Sequence, residues 1–165
     1  MTIRPPAEIG MAADDVDTPA LLVDLDAFEH NIALMARMVA SFGVNHRPHA
    51  KTHKSPDVAR RQIAAGAVGQ CCQKVGEAEV LVAGGIEDVL VSNQVVGPRK
   101  LDRLAALARQ ASIGVCVDDA GNIEDINAAA KRFGSTVEVL VEVDIGAGRC
   151  GVMPGAPAVE LAKKI

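Results

Sequence analysis

The sequence predicts an α/β fold on a parallel sheet, in the form of a (β/α) barrel that stops after about five barrel strands. Three observations carry this expectation. Apolar strand-like runs alternate with segments of helical period. Each strand-plus-helix unit takes about 20–25 residues, as compact βα units do. The segment 136–144 also has two different faces, with Val137, Val139, Val141 and Val143 alternating with Glu138, Leu140, Glu142 and Asp144. A valine face suits packing under helices. An acidic face must be paired or meet water, as at the interior end of a functional barrel, whereas a sheet covered on both sides favours continuously apolar strands.

The elements follow in order. Residues 1–17 are rich in Pro, Ala and Asp and are expected as a loose, flexible arm, leaving 18–165 as the barrel domain. Ala20 to Asp24 is expected as a short apolar strand. Asp26 is expected to cap a helix carrying Phe28, Ile32, Met35 and Val39 at helical spacing, and Gly43 to end it. Barrel strands are expected at 44–51, 68–73, 87–92, 113–118 and 136–144, with helices near 55–65, 75–84, 98–111 and 121–133. Pro56 and Pro98 suit first helical turns, and Gly66, Gly84 and Gly134 suit helix ends. Residues 157–165 form the start of a further helix. A (β/α)8 barrel needs eight strands and about 250 residues, so the 165 residues are expected to be part of a longer chain.

Composition excludes several classes. The net charge is −4 and there is no Trp or Tyr, which argues against a nucleic-acid partner. The first residues lack the apolar run of a signal peptide, and no segment suits a membrane span. Cys71, Cys72, Cys116 and Cys150 form no CxxC pair, so reduced thiols and a cytoplasmic location are expected.

The densest chemical signal is His46-Arg47-Pro48-His49-Ala50-Lys51-Thr52-His53-Lys54. Strand alternation places Arg47, His49 and Lys51 on one face. A basic row at a strand's C-terminal end suits an anionic ligand, and a lysine there can become a nucleophilic amine. A solvated basic loop is the plain alternative. Pro48 cannot donate to a ladder and predicts irregular pairing. Zinc at His46, His49 and His53 is disfavoured, because the segment reads as strand then loop with no acidic or Cys ligand nearby. The second signal is Asp144-Ile145-Gly146-Ala147-Gly148-Arg149-Cys150-Gly151, directly after the last strand. Its glycines nearly match GxGxxG, but a dinucleotide fingerprint belongs to the first βα unit and opens a helix. Arg149 is better taken as a cation presented at the barrel mouth. Gln73, Asn93 and Asp118 end three other strands, the usual address of barrel chemistry. Cys71 and Cys72 sit inside a strand and suit core packing.

These strings resemble a known family. Thr18-Pro19-Ala20 through Asp24-Leu25-Asp26, then Arg47-Pro48-His49-Ala50-Lys51-Thr52-His53-Lys54, resembles the group of D-threonine aldolase, D-serine dehydratase and D-3-hydroxyaspartate aldolase. These are relatives of alanine racemase with the type III pyridoxal-phosphate barrel. Cys71-Cys72-Gln73-Lys74-Val75, Glu77-Ala78-Glu79, Gly84-Gly85-Ile86 and Asp88-Val89-Leu90-Val91 look most like the hydroxyaspartate aldolase branch, and 143–151 is similar to the family's glycine-arginine motif.

The resemblance implies that Lys51 binds the cofactor aldehyde and is the catalytic lysine. It implies that Arg149 faces the cofactor's phenolic oxygen, with Glu142 paired to it where many racemases use a carbamylated lysine. Gln73, Asn93 and His49 are the further candidate cofactor-binding residues. The implied reaction is pyridoxal 5'-phosphate-dependent retro-aldol cleavage of a D-3-hydroxy amino acid to glycine and an aldehyde. The alternatives are a D-serine or D-3-hydroxyaspartate dehydratase, or a non-catalytic pyridoxal-phosphate-binding barrel. A divalent metal, Mg or Mn, is implied for the full-length enzyme with no ligands in this chain, as is a homodimer acting on a small D-amino acid. Residues 1–165 alone are expected to be poor aldolases, because the phosphate cup and metal ligands fall outside them.

Overall fold

The computed structural model describes residues 5–165. Its centre is a four-stranded, all-parallel sheet in the order β1-β2-β3-β4: Gln70–Cys72, Asp88–Val91, Ser112–Val117 and Glu138–Val141. The strands follow one another in space as in sequence. Each is joined to the next by a crossover helix: α3 Val75–Ala83, α4 Pro98–Leu107 and α5 Ala120–Phe133. Two helices precede the sheet, α1 Leu25–Ser41 and α2 Pro56–Ala64, and α6 Ala156–Ala162 follows it. This is the incomplete (β/α) barrel that the alternating pattern predicts.

Register divides the sheet into two faces. Val89, Val91, Ile113, Val115 and Val117 point to the helices and are fully buried with Leu81, Leu101, Leu104, Ile123 and Ile126. Val139 and Val141 pack against the same cluster. Burying each such aliphatic side chain contributes about 1.5–3 kcal/mol. The opposite face, which a closed barrel would turn inward, is half-open. Cys71 and Leu90 lie in one row with Gly114 and Glu138, and Cys116 pairs with Leu140 in the next. Glu138 and Leu140 are exposed. The two-faced pattern of 136–144 is therefore present as anticipated.

Helix ends follow local chemistry. Ser55 caps α2 and Asp119 caps α5, each accepting a backbone N–H with its side chain, and Pro56 and Pro98 occupy first turns. Gly134 closes α5 in the left-handed conformation, φ 59°, which costs glycine little.

Four expectations need correction. Residues 20–24 form no strand: Leu21 is 99% exposed and the segment pairs with nothing among the described residues. An apolar run becomes a strand only where a partner satisfies its backbone. The cap of α1 is Asp24, whose carboxylate accepts from Ala27 N at 2.9 Å, two residues earlier than Asp26. Residues 44–51 contribute one isolated bridge, His49 with Cys71, in place of a full strand. Pro48 cannot donate; its carbonyl accepts from Cys71 N at 2.7 Å, and Ala50 N donates to Cys71 O at 2.7 Å. Finally, Arg47 is no part of a basic row at the sheet's C-terminal edge. Its guanidinium grips Asp88 with two bonds, 2.6 and 2.9 Å, beside the N-terminal start of β2. Hydrogen bonding to Asp88 holds Arg47 above the ordinary guanidinium value.

The expected arm and barrel boundary falls at 17/18. Residues Met1–Arg4 of that arm lie outside the described residues, and the rest holds one 3-10 turn, Ala13–Asp15. No helix among the described residues is long and apolar enough to cross a membrane.

Gly69 supplies a test of the Arg47–Asp88 clamp. A Cβ there would lie 2.2 Å from Arg47 Nη1 and 2.6 Å from the Asp88 carbonyl oxygen. Because one of those atoms is backbone, Gly69→Ala is expected to cost about 1–3 kcal/mol, read as a lower urea midpoint. An unchanged midpoint would refute the clamp as a structural element.

Candidate active site at the C-terminal edge of the sheet

Parallel strands deliver their following residues to one edge, and the chemistry-bearing side chains gather there. Lys51 lies in the turn just after the His49–Cys71 bridge and is exposed. It forms no ion pair among the described residues. Its backbone is tied down: Lys51 N donates to His49 Nδ1 at 3.2 Å. The other ring nitrogen, Nε2, lies 3.2 Å from Ser92 Oγ, which donates to the Cys72 carbonyl at 3.3 Å. This chain of bonds dictates the tautomer. Nδ1 accepts, so Nε2 carries the proton and donates to Ser92, whose own proton goes to Cys72 O. Burial, and then the Lys51 charge, hold His49 below the ordinary imidazole value. His49 is thus a neutral brace under Lys51. The nearby His53 is also held low by burial, and its Nδ1 accepts from Ser55 N at 3.0 Å.

On the far side, residues 144–151 form a compact glycine loop. Val143 and Val152 bridge at its base, with Val152 N donating to Glu142 O and Asp144 N to Val152 O, both at 2.9 Å. Gly151 sits so close that a Cβ would fall 2.6 Å from Asp144 N, at φ 100°. The Asp144 carboxylate accepts from Gly146 N at 2.8 Å and Gly148 N at 3.1 Å. Those bonds hold its carboxyl below the usual range. Asp118, at the end of β3, accepts from Gly151 N at 2.9 Å. Arg149 rides on this loop with its side chain 75% exposed.

Glu142 stands on the inner face, as strand parity suggested, and lies near Arg149, as the resemblance implied: Arg149 Nη2 is 4.0 Å from Glu142 Oε1. Two partners invisible to sequence reasoning also reach it. Gln94 Nε2 donates to Oε2 at 2.6 Å and the Cys150 thiol to Oε1 at 2.9 Å. Gln94 comes from the loop after β2, 48 positions away, and no local motif signals that contact.

Gln73 and Asn93 are brought together in one cleft, which Lys51 does not line. They line a cleft of about 520 Å³ with Lys54, Lys74, Glu77, Gln94 and Lys100. Glu77 there accepts from Gln73 N at 2.8 Å and lies 3.8 Å from Lys54 Nζ. Burial favours the protonated thiol at each strand cysteine. Burial pushes the Cys72 thiol up to about 12 and the Cys116 thiol up to about 11. No cluster of three or more His, Cys, Asp or Glu side chains suited to a metal occurs among the described residues.

A parallel βα sheet thus carries a lysine, an arginine and amide side chains along its C-terminal edge, where barrel folds place their chemistry. The chain belongs to the family of the alanine racemase N-terminal domain, whose model matches residues 23–165. It is 49% identical over 164 residues to D-threonine aldolase of Arthrobacter sp., covering 99% of this chain and 43% of that protein. It is 50% identical over 160 residues to 3-hydroxy-D-aspartate aldolase of Paracoccus denitrificans, covering 96% and 41%. The crystal structure of D-threonine aldolase from Filomicrobium marinum superposes with a TM-score of 0.96 at 56% identity, over 99% of this chain and 44% of that one. The chain therefore spans less than half the length of these relatives.

Two measurements test the geometry. In 15N-resolved NMR spectra, His49 is expected as the Nε2–H tautomer and to remain neutral below the ordinary histidine midpoint. A protonated ring at pH 7 would contradict the brace. For the loop, Asp144 has a depressed folded-state value. Its stabilisation is fully present above the unfolded carboxylate value and disappears as pH falls through the lower folded one. Exchange protection at the Gly146 and Gly148 amides is expected to follow that loss, and Asp144→Asn to weaken it near neutral pH and abolish its dependence on this titration.

Proposed function

We propose that this chain is the lysine-bearing part of a pyridoxal-phosphate-dependent aldolase that cleaves a D-3-hydroxy amino acid, of the threonine or 3-hydroxyaspartate type, to glycine and an aldehyde. One observation carries the proposal: Lys51 offers an exposed amine, without a carboxylate partner among the described residues, on the same sheet edge as the exposed guanidinium of Arg149. The likeness to two aldolases supports the choice of reaction.

The residues fit the cofactor. Lys51 is exposed and has no ion-pair partner among the described residues, so its amine is open to an aldehyde carbon. Arg149 supplies fixed positive charge for the phenolic oxygen. Gln73 and Asn93 offer amide groups at the rim. His49 supports the Lys51 backbone instead of spending a ring nitrogen on the ligand. Pyridoxal phosphate would supply an electron sink for the electrons released at Cα. Lys51 would hold the cofactor through its aldehyde carbon, and the reaction would need a base for the 3-hydroxyl proton as the Cα–Cβ bond breaks. The reading includes a divalent metal, Mg or Mn, held by ligands beyond the described residues, and a cytoplasmic homodimer.

The test uses the full-length protein of which these residues are part, with added pyridoxal phosphate. A visible absorbance band is expected that vanishes in Lys51→Ala, together with glycine release from D-threonine or D-3-hydroxyaspartate that falls more than about a thousandfold in the same variant. Release of ammonia and a keto acid would replace the aldolase reading with dehydration. A band that survives Lys51→Ala would remove Lys51 from the site.

A further inference from the structure

The Glu142–Arg149 pair has an unusual shape. Arginine and a carboxylate brought together usually close into a two-bond fork at about 2.7–2.9 Å, as Arg47 and Asp88 do here. Arg149 stops at 4.0 Å from Glu142 Oε1. The carboxylate already has other donors: Gln94 Nε2 lies on Oε2 at 2.6 Å and the Cys150 thiol on Oε1 at 2.9 Å. Glu142 is only 21% exposed, so both oxygens receive these bonds where competing water is scarce.

We propose that Gln94, with Cys150, is a positioning residue that competes with Arg149 for the Glu142 carboxylate, so that Arg149 stays beside a negative charge and the Cys150 sulfur while N–H donors of its fork are left for an anionic oxygen of the ligand. This rests on the reading of Arg149 as a cofactor contact. It adds a residue that neither parity nor motif indicates and a reason for the open geometry.

The fold prepares Gln94 for the task. Its loop follows β2, and the next residue, Val95, is 4% exposed. The carbonyl of Val95 accepts from Asn122 Nδ2 at 2.8 Å, and Asn122 is itself buried at the start of α5. The loop is thus pinned from below, and the Gln94 amide is aimed across the sheet edge at β4's continuation. On the other side, Cys150 neighbours Arg149 on a loop fixed by Asp118 and Asp144. The carboxylate is held from two rigid elements, and the guanidinium is attached to one of them. The Cys150 sulfur and then the Glu142 charge favour the Arg149 cation, and neither closes a two-bond fork on it.

Removing the Gln94 donor frees Oε2, and the unsatisfied carboxylate then recruits the guanidinium into a closed fork. The test is titration of the full-length protein with pyridoxal phosphate, followed by its visible band, for the wild type, Gln94→Leu, Glu142→Gln and the double variant. Gln94→Leu is expected to weaken binding by about tenfold, the cost of one charge-assisted hydrogen bond. The pH midpoint of the band is expected to rise, since a withdrawn cation no longer favours the deprotonated form. The double variant is expected to bind as well as Glu142→Gln alone, because a neutral amide cannot capture Arg149. A double variant as weak as Gln94→Leu would show a merely structural role and overturn the inference. So would Gln94→Leu with wild-type binding. A wild type lacking any Lys51-dependent band would overturn this inference and the proposed function together; an intact wild-type band with a neutral Gln94→Leu overturns this inference alone.

Discussion

Burial of one sheet face is the constraint from which the rest of the structure follows. Val89, Val91, Ile113, Val115 and Val117 must leave water, and three crossover helices supply Leu81, Leu101, Leu104, Ile123 and Ile126 to cover them. Side chains alternate along a strand, so covering this face commits every other residue to the opposite one. Cys71, Leu90, Cys116, Leu140 and Glu142 are where they are because their neighbours are buried. A slip of one residue would turn Glu138 and Glu142 into the helix layer and leave two carboxylates without water or partners.

The same constraint explains the site. Parallel strands all end on one edge, so the turns after them collect what a single segment cannot hold. Lys51 follows the bridged segment, Gln73 follows β1, Ser92 and Gln94 follow β2, Asp118 follows β3 and Glu142 follows β4. Rigidity is added by hydrogen bonds from side chains to backbone. His49 braces Lys51, Asp144 gathers the amides of Gly146 and Gly148, and Asp118 holds Gly151. Several of these polar groups are supports first: His49, Asp118 and Asp144 all bond backbone amides. That is why the exposed cations, Lys51 and Arg149, stand out: the groups around them are engaged with one another.

Much of this was legible in the chain of residues. The βα rhythm, the helix ends at Pro56, Pro98 and Gly134, the two faces of 136–144 and the Glu142–Arg149 approach all depend on local spacing. Lys51 and Arg149 lay in strings distinctive enough to be singled out. Misjudged elements share a cause. Residues 20–24 look like a strand, but a strand requires a neighbour. Arg47 looks like a partner of Lys51, yet Asp88, 41 positions later, claims it at the other end of the sheet. Gln94 carried no signal, since its role depends on a contact across 48 positions.

The sequence by itself determined the period of each element, which face of each strand is apolar, and which residues follow each strand end. Those properties are set by side-chain spacing over a few residues. Only the tertiary structure decided which polar groups meet across the edge. It put Arg47 with Asp88, His49 between Lys51 and Ser92, and Gln94 on Glu142. Such pairings depend on register between strands and on loop paths, and both are fixed by burial of the shared core rather than by any residue's immediate neighbours.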